Sequence, residues 1–244
     1  MISRKLATAA LFVFAFSLSA SAAPTPRAQA ILQLNPVAYW QFTATTIEQP
    51  VLDLTQNHND GYFEGLASGL AGTGPDDRAA GFGPYAGVNL TKTTIAAQGN
   101  AARSIIAWVK TTNTDPQAIL ATGTPSQSEA FNVVMDYAYS GNGVVGVMGF
   151  FDDFYPTSGR NVSDGNWHMV AATYDGVGNL KIYVDGNLDN ATTISYSTTG
   201  QSNYIGRSNH PGFERGFQGS ISDPAVFNYA LSAAQVAALA GTSP

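Results

Sequence analysis

Cysteine is absent from this chain and charged residues are scarce, at 11% of the total. The first absence excludes disulfides, and with them any lipid anchor built on an N-terminal cysteine. A single domain of about 200 residues buries roughly 70% of its unfolded surface, so the core can hold the fold without covalent staples. The second absence removes whole classes of partner. With 11 Lys and Arg against 17 Asp and Glu, the net charge is −6 and no basic run occurs anywhere. Nucleic acid and anionic membrane surfaces are therefore excluded as expected partners. The three histidines, His58, His168 and His210, stand far apart in sequence, and with no cysteine beside them a zinc site has no support. Gly, Thr, Ser and Asn fill the polar positions instead, a composition that suits neutral polar ligands such as glycans and equally suits any turn-rich β-protein.

Long apolar runs are missing too, with one exception at the start. Arg4 and Lys5 form a basic head, Leu6 to Leu18 is apolar and uncharged, and Ala20-Ser21-Ala22 supplies a small-x-small cleavage pattern. Thirteen residues are too few to span a bilayer, so the segment is expected to be a signal peptide over residues 1–22. Its removal leaves 9 basic against 17 acidic residues, a net charge of −8. Export to a secreted, extracellular or periplasmic location follows as an expectation, with no membrane span and a flexible leader over residues 23–35.

What the chain does have is strands. Val37 to Phe42, Ser104 to Lys110, Phe131 to Tyr137, Val144 to Phe151, Trp167 to Tyr174, Leu180 to Asp185 and Gly219 to Phe227 are short runs rich in β-branched and aromatic residues, separated by turn clusters. In Leu180 to Asp185 alternate residues are apolar, predicting one buried and one wet face. In Trp167 to Tyr174 both faces are apolar, predicting a strand interior to its sheet. Asp185-Gly186 predicts a tight hairpin turn, because both residues accept positive φ. One helix is expected, opened by the capping box Ser232 to Gln235 and closed near Gly241. The expected fold is all-β: a two-sheet antiparallel jelly-roll sandwich over residues 36–241 with one short C-terminal helix.

The string DGNWHMVAATYDGVGNLKIYVDG, residues 164–186, resembles the central signature of laminin-G-like jelly-roll domains of the concanavalin A-like lectin/glucanase superfamily. VAYWQF with DLTQNHNDGYFEG, SIIAWVKT, and GSISDPAVFNYALSAAQVAAL agree with that family in type and order, so the likeness spans roughly residues 36 to 240. It implies that His168 is architectural. The residues agree, since neither a carboxylate nor a nucleophile adjoins it in sequence. The resemblance also implies a structural calcium held by Asp53, Asn59, the Gly61 carbonyl and Asp223, with EDTA lowering the melting temperature. Two departures stand against it: Thr43, and Ser222 before Asp223, occupy positions where the family often carries an acid. An ion-free turn rich in Asn and Gly is the alternative.

Two stretches are candidates for a binding platform, with an ordinary loop around one buried aromatic anchor as the alternative for each. Phe151, Asp152, Tyr155 and Arg160 combine aromatic rings with hydroxyl-binding polar groups, and Arg207, Asn209, His210 and Phe213 do the same in a later loop. A glycoside hydrolase needs two carboxylates facing each other, and adjacent strand residues such as Asp152 and Asp153 point to opposite faces. The Glu-x-Asp-x-x-Glu string of the laminarinase-type members is also absent. The expected function is a non-catalytic carbohydrate-binding, lectin-like module for a glycan or polysaccharide. The alternatives are a protein-binding or adhesion module and, more remotely, a glucanase-type hydrolase.

Overall fold

A computed structural model describes residues 24–44, 46–65, 79–137, 141–200, 202–210 and 215–242. The expected signal peptide lies outside these residues, as does Phe213. Two antiparallel sheets face each other. The first runs β1 (Ala38–Tyr39), β13 (Gly219–Phe227), β5 (Arg103–Lys110), β9 (His168–Tyr174), β10 (Asn179–Val184) and β11 (Asn187–Thr193), with β3 (Ala79–Phe82) also paired to β13. The second runs β2 (Gly61–Glu64), β4 (Gly87–Leu90), β12 (Asn203–Ile205), β6 (Gln117–Ala121), β7 (Asn132–Met135) and β8 (Val145–Met148). Neighbours far apart in sequence, such as β13 with β5 and β12 with β4, give the jelly-roll sandwich that the strand pattern predicts.

The inner faces meet in one apolar layer. Val170, Ala172 and Tyr174 of β9, Ile105, Ala107 and Val109 of β5, and Leu180, Ile182 and Val184 of β10 enter it from one sheet. Val88, Ile119, Val133, Val145 and Ile205 enter it from the other. Alternate residues of β9 and β5, namely Met169, Ala171, Ile106 and Trp108, point outward into a second apolar cluster. That is why Trp167 to Tyr174 carries no wet face. Asp185 and Gly186 close the β10–β11 hairpin at φ 50° and 78°, the positive values such a turn needs.

The second cluster is covered by helices, and here the fold departs from expectation. Besides α2 (Ala233–Ala240), with its capping box, the chain forms α1 over Pro26–Gln33, inside the segment expected to be a flexible leader. Thr25 caps α1 by accepting from Ala28 N, and Pro26 sits in the first turn, where its missing N–H costs nothing. Its Ala28 and Ile31 bury against the outer face of the seven-stranded sheet. Tyr183, expected on the wet face of β10, is only 3% exposed because it belongs to this helix-covered cluster.

One polar group organises this layer. Asp223 sits at φ 50° in a bulge of β13, where the pairing with β5 slips between Ser222 and Ala225. Its carboxylate is fully buried and accepts from Tyr39 Oη (2.5 Å), Ser222 Oγ (2.8 Å), Gln41 Nε2 (3.1 Å) and Arg27 Nη1 (3.5 Å). The Arg27 guanidinium lies 4.4 Å above the Trp108 ring of β5 and donates to Thr242 O beyond α2. The ion pair thus joins both ends of the domain to β1, β5 and β13. Removing one partner of a buried pair strands the other charge, at a cost of about 3–5 kcal/mol. Asp223→Ala is expected to lower unfolding stability by that amount in a urea titration, and a loss under about 1 kcal/mol would show that the carboxylate carries no such weight.

Candidate functional site

The two outer faces of the sandwich differ in kind. The outer face of the seven-stranded sheet is sealed by α1 and α2. No helix covers the outer face of the six-stranded sheet among the described residues. Its register places Tyr62 (β2) opposite Asn89 (β4), Asn89 opposite Tyr204 (β12), and Tyr204 opposite Ala121 (β6), so these side chains form one row across four strands. At a strand spacing of about 4.8 Å, Tyr62 and Tyr204 stand roughly 10 Å apart at the backbone. Beside this row Glu64 pairs with Gly87, and the Arg207 side chain lies over that glycine, where an added Cβ would come within 2.7 Å of it.

The row is a hydrogen-bonded unit. Arg207 Nη1 donates to Glu64 Oε2 at 2.8 Å, Asn89 Nδ2 donates to Glu64 Oε1 at 2.7 Å, and the guanidinium carbon stands 5.2 Å from the Tyr204 ring centroid. Tyr62 is half exposed, and the polar groups around it are partly buried. Further along the same face, towards β7 and β8, Tyr137 and Tyr155 stack at 5.5 Å, with Arg215 above Tyr137 at 5.7 Å. Phe150 stacks on His210 at 5.2 Å, and Asn132 Nδ2 donates to Asn209 Oδ1 at 2.9 Å. Gly146 lets Tyr155 lie flat on the sheet, since a Cβ there would meet Phe154 O at 2.7 Å. Burial, with the Asp153 charge and Tyr137 beside it, pushes the Tyr155 phenol up, so it stays a neutral hydroxyl.

The two stretches singled out in sequence therefore converge only in part. Tyr155, Arg207, Asn209 and His210 lie on the same side of the six-stranded sheet, but Asn209 is buried, and Tyr155 packs against a buried apolar cluster of Ala118, Ala130, Val134, Met148 and Phe150. Asp152 is held at the rim of that side by the Ser128 hydroxyl, and Phe151 stands 84% exposed while its neighbour Phe150 packs inward. Positive φ at both phenylalanines, 59° and 77°, turns the chain there, so simple alternation picks the wrong ring. Arg160 is elsewhere, 3.7 Å from Asp185 across the β10–β11 turn. Tyr62, Glu64, Asn89, Tyr137, Phe150 and Tyr204 were not anticipated. Their signal, one polar or aromatic residue between two core residues, is that of any strand.

The residues implied for calcium do not fit one. The Asp53 carboxylate accepts five protein donors: Tyr39 N, Thr55 N and Oγ1, and Asn59 N and Nδ2, all at 2.8–3.0 Å. The Gly61 carbonyl accepts from Val51 N, and Asp223 is occupied as described above. Asp53 and Asp223 meet opposite ends of Tyr39, its backbone N–H and its phenol, so they cannot share an ion. Among the described residues no cluster of three or more acidic, His or Cys side chains is placed to hold a metal.

His168 is held as a strut. Its Nδ1 lies 2.9 Å from Asp185 Oδ2 and its Nε2 lies 3.0 Å from Asp164 Oδ1. Burial disfavours its charged form, but the hydrogen bonds and charges of Asp185 and Asp164 outweigh burial and raise its pKa. Hydrogen bonds from Asn166 and then His168 hold exposed Asp164 down to about 2.

With the fold in hand, comparison with known proteins defines its class. A laminin-G-type family model of the concanavalin A-like lectin/glucanases superfamily matches residues 82–237, more than half of the chain, and the chain belongs to that superfamily. No curated protein matches the sequence. Among solved structures, it is similar to domain 4 of the extracellular arabinanase AbnA from Geobacillus stearothermophilus, solved in complex with arabinotriose. That pair aligns at 18% identity with a TM-score of 0.60, over 84% of this chain and 98% of that one. The binding domain of botulinum neurotoxin serotype G aligns at 14% identity and TM-score 0.56, over 84% of this chain and 50% of that one. A Trypanosoma rangeli sialidase in complex with a difluoro-KDN compound aligns at 13% identity and TM-score 0.55, over 83% and 32%. At these identities the likeness is one of fold.

The His168 strut makes a pH prediction. A raised folded-state pKa contributes stability that is full below the unfolded value of 6.5 and lost as pH rises through the folded value. Asp164 acts in the opposite sense, contributing above 3.8 and failing as pH falls through about 2. Melting temperature is expected to decline as pH rises above the unfolded value of 6.5 and through the raised folded-state value in the parent protein, and this slope should flatten in His168→Gln. Equal slopes in the two proteins would remove the strut.

Proposed function

We propose that the protein is an exported carbohydrate-binding module of lectin type, without catalytic activity, and that the open face of the six-stranded sheet is its binding surface. The observation that carries the reading is the contrast between the two outer faces. One is apolar and sealed by helices. The other carries, over β2, β4 and β12, tyrosines and an Arg–Glu–Asn network, beside a smaller apolar cluster over β6 to β8 that the Tyr137–Tyr155 pair packs against. Aromatic faces pack against the C–H surface of a sugar ring, while fixed guanidinium, carboxylate and amide groups pair its hydroxyls. Neighbours of this fold solved with arabinotriose or with a sialic-acid-type compound are consistent with a sugar as the ligand.

The non-catalytic part of the reading has its own support. On and beside this face Glu64 is engaged by Arg207 and Asn89, Asp152 by Ser128, and Asp153 by Gly149 N at 2.8 Å. A retaining or inverting hydrolase needs a carboxyl group free to donate its proton across from a second carboxylate, and each of these carboxylates is already engaged by a protein donor. Calcium has no part in the proposal.

The test is a glycan and polysaccharide panel on the chain from residue 23, with arabinotriose included, run with calcium and with EDTA. Saturable binding to one glycan class is expected, indifferent to EDTA and to ionic strength, because no net charge is exchanged. Tyr62→Ala is expected to weaken it roughly tenfold, the scale of one aromatic contact, without shifting the melting temperature. A panel with no binder, together with capture of an extracellular protein, would replace this reading with the adhesion alternative.

A further inference from the structure

At the edge of the helical cover, where α2 begins, the outer face of the seven-stranded sheet is left with a cavity of about 150 Å³. Its floor is made by β9 and β10, whose register sets Thr173 opposite Lys181 and puts Tyr183 two residues further along the same face. Residues 230–233, which lead into α2, form the wall, and Asp175 and Asn179 complete the rim. Thr173 and Tyr183 are each only 3% exposed, yet neither hydroxyl has a hydrogen-bond partner among the described residues. Neither oxygen is sealed off, so both open onto the cavity that these residues line. The neighbour that could have satisfied Thr173 is taken: Ser104, opposite it on β5, donates to Tyr229 O and accepts from Leu231 N, both at 2.9 Å. Buried hydroxyls are normally paired, so two orphans on one cavity point to an occupant.

The remaining groups say what kind. The exposed Lys181 ammonium forms no ion pair or hydrogen bond among the described residues, and its other cross-strand neighbour is Ala191. The start of α2 adds two donors. Four N–H groups at a helix start lack an intrahelical partner. The capping box satisfies two of them, since Ser232 N donates to Gln235 Oε1 at 2.8 Å and Gln235 N to Ser232 Oγ at 3.2 Å. Those of Ala233 and Ala234 remain, at the positive end of the helix dipole. An ammonium, two hydroxyls and two helix N–H groups together select an oxyanion. Asp175 is the one carboxylate among the lining residues, and it is turned into its own loop, accepting from Val177 N, Asn179 N and Asn179 Nδ2. Its charge opposes an anion, which makes it a control and not a ligand. We propose that this cavity is a site for one compact oxyanion group, a carboxylate, sulfate or phosphate, held by Lys181, Thr173, Tyr183 and the start of α2. It shares no residue with the open sheet face and does not depend on the carbohydrate reading.

The test follows backbone amide shifts by NMR in the chain from residue 23 as sodium sulfate, phosphate or acetate is added at constant ionic strength, with sodium chloride as the reference. At least one of the three is expected to saturate, with shifts centred on Thr173, Lys181, Ala233 and Ala234. Lys181→Gln should weaken that binding about tenfold or more, and Thr173→Val and Tyr183→Phe several-fold each, the scales of a charged and a neutral hydrogen bond. Asp175→Asn should tighten it, because a repelling charge is removed. Glucuronate and glucose 6-sulfate separate the sources. Tighter binding than acetate or sulfate, still weakened by Lys181→Gln, supports an anion borne on a sugar, and equal binding supports a free anion in the same cavity. Shifts that never saturate, that centre elsewhere, or that persist unchanged in Lys181→Gln overturn the proposal. Should either buried variant lower the melting temperature, Lys181→Gln, at an exposed and unpaired position, decides the outcome alone.

Discussion

A carboxylate buried at 0% exposure, answered by one guanidinium and three neutral donors, is the constraint on which the helix-covered half of this protein depends. Asp223 cannot be left uncompensated in the apolar layer it occupies, so Arg27, Tyr39, Gln41 and Ser222 must converge on it. Convergence brings α1 onto the seven-stranded sheet, ties β1 to β13 through the bulge, and draws the segment after α2 towards Arg27. The bulge is what aims the side chain, because a regular strand would place Ser222 and Asp223 on alternate faces with no turn to gather the donors. Where the laminin-G resemblance implies a metal ion at this acid, the chain supplies a cation of its own.

That arrangement decides where function can sit. One outer face is consumed by packing, with Trp108, Tyr183, Phe227 and Leu239 sharing a dry cluster. The other is available. There the Arg207 side chain is 15% exposed and that of Glu64 39% exposed, so the pair is part-buried rather than fully solvated. It holds a guanidinium, an amide and a tyrosine ring in fixed relation, which would lower the entropy lost in the saccharide binding proposed for this face. The same residue types thus play opposite parts on the two sides of the sandwich. Arg27 closes one face, and Arg207 orders the polar row on the other.

Much of the fold was legible in the sequence, and the reasons are local. Residues 164–186 alternate cleanly between Asp-Gly turns, and hydrophobic periodicity with turn chemistry is enough to specify a hairpin. The capping box at Ser232 and the two-sided apolar strands were equally readable. What escaped was non-local. Helix α1 carries a Thr-Pro start but only a short apolar stripe, and its reason to exist, a carboxylate 196 residues away, has no trace in its neighbourhood. Tyr183 reads as a wet-face residue until α2 is folded over it. The site itself fared worst. Tyr62, Glu64, Asn89 and Tyr204 become a unit only through cross-strand register, and Phe150 rather than Phe151 turns inward because of two positive φ angles.

Amide hydrogen exchange of the protein, free and saturated with the tightest saccharide from the panel, tests most directly the claim that the uncovered sheet face is the working surface. The account predicts that protection rises in β2, β4 and β12, around Tyr62, Asn89 and Tyr204, while α1, α2 and the outer side of the seven-stranded sheet are unchanged. Protection confined to the helices or to the loop of residues 53–61 would contradict it.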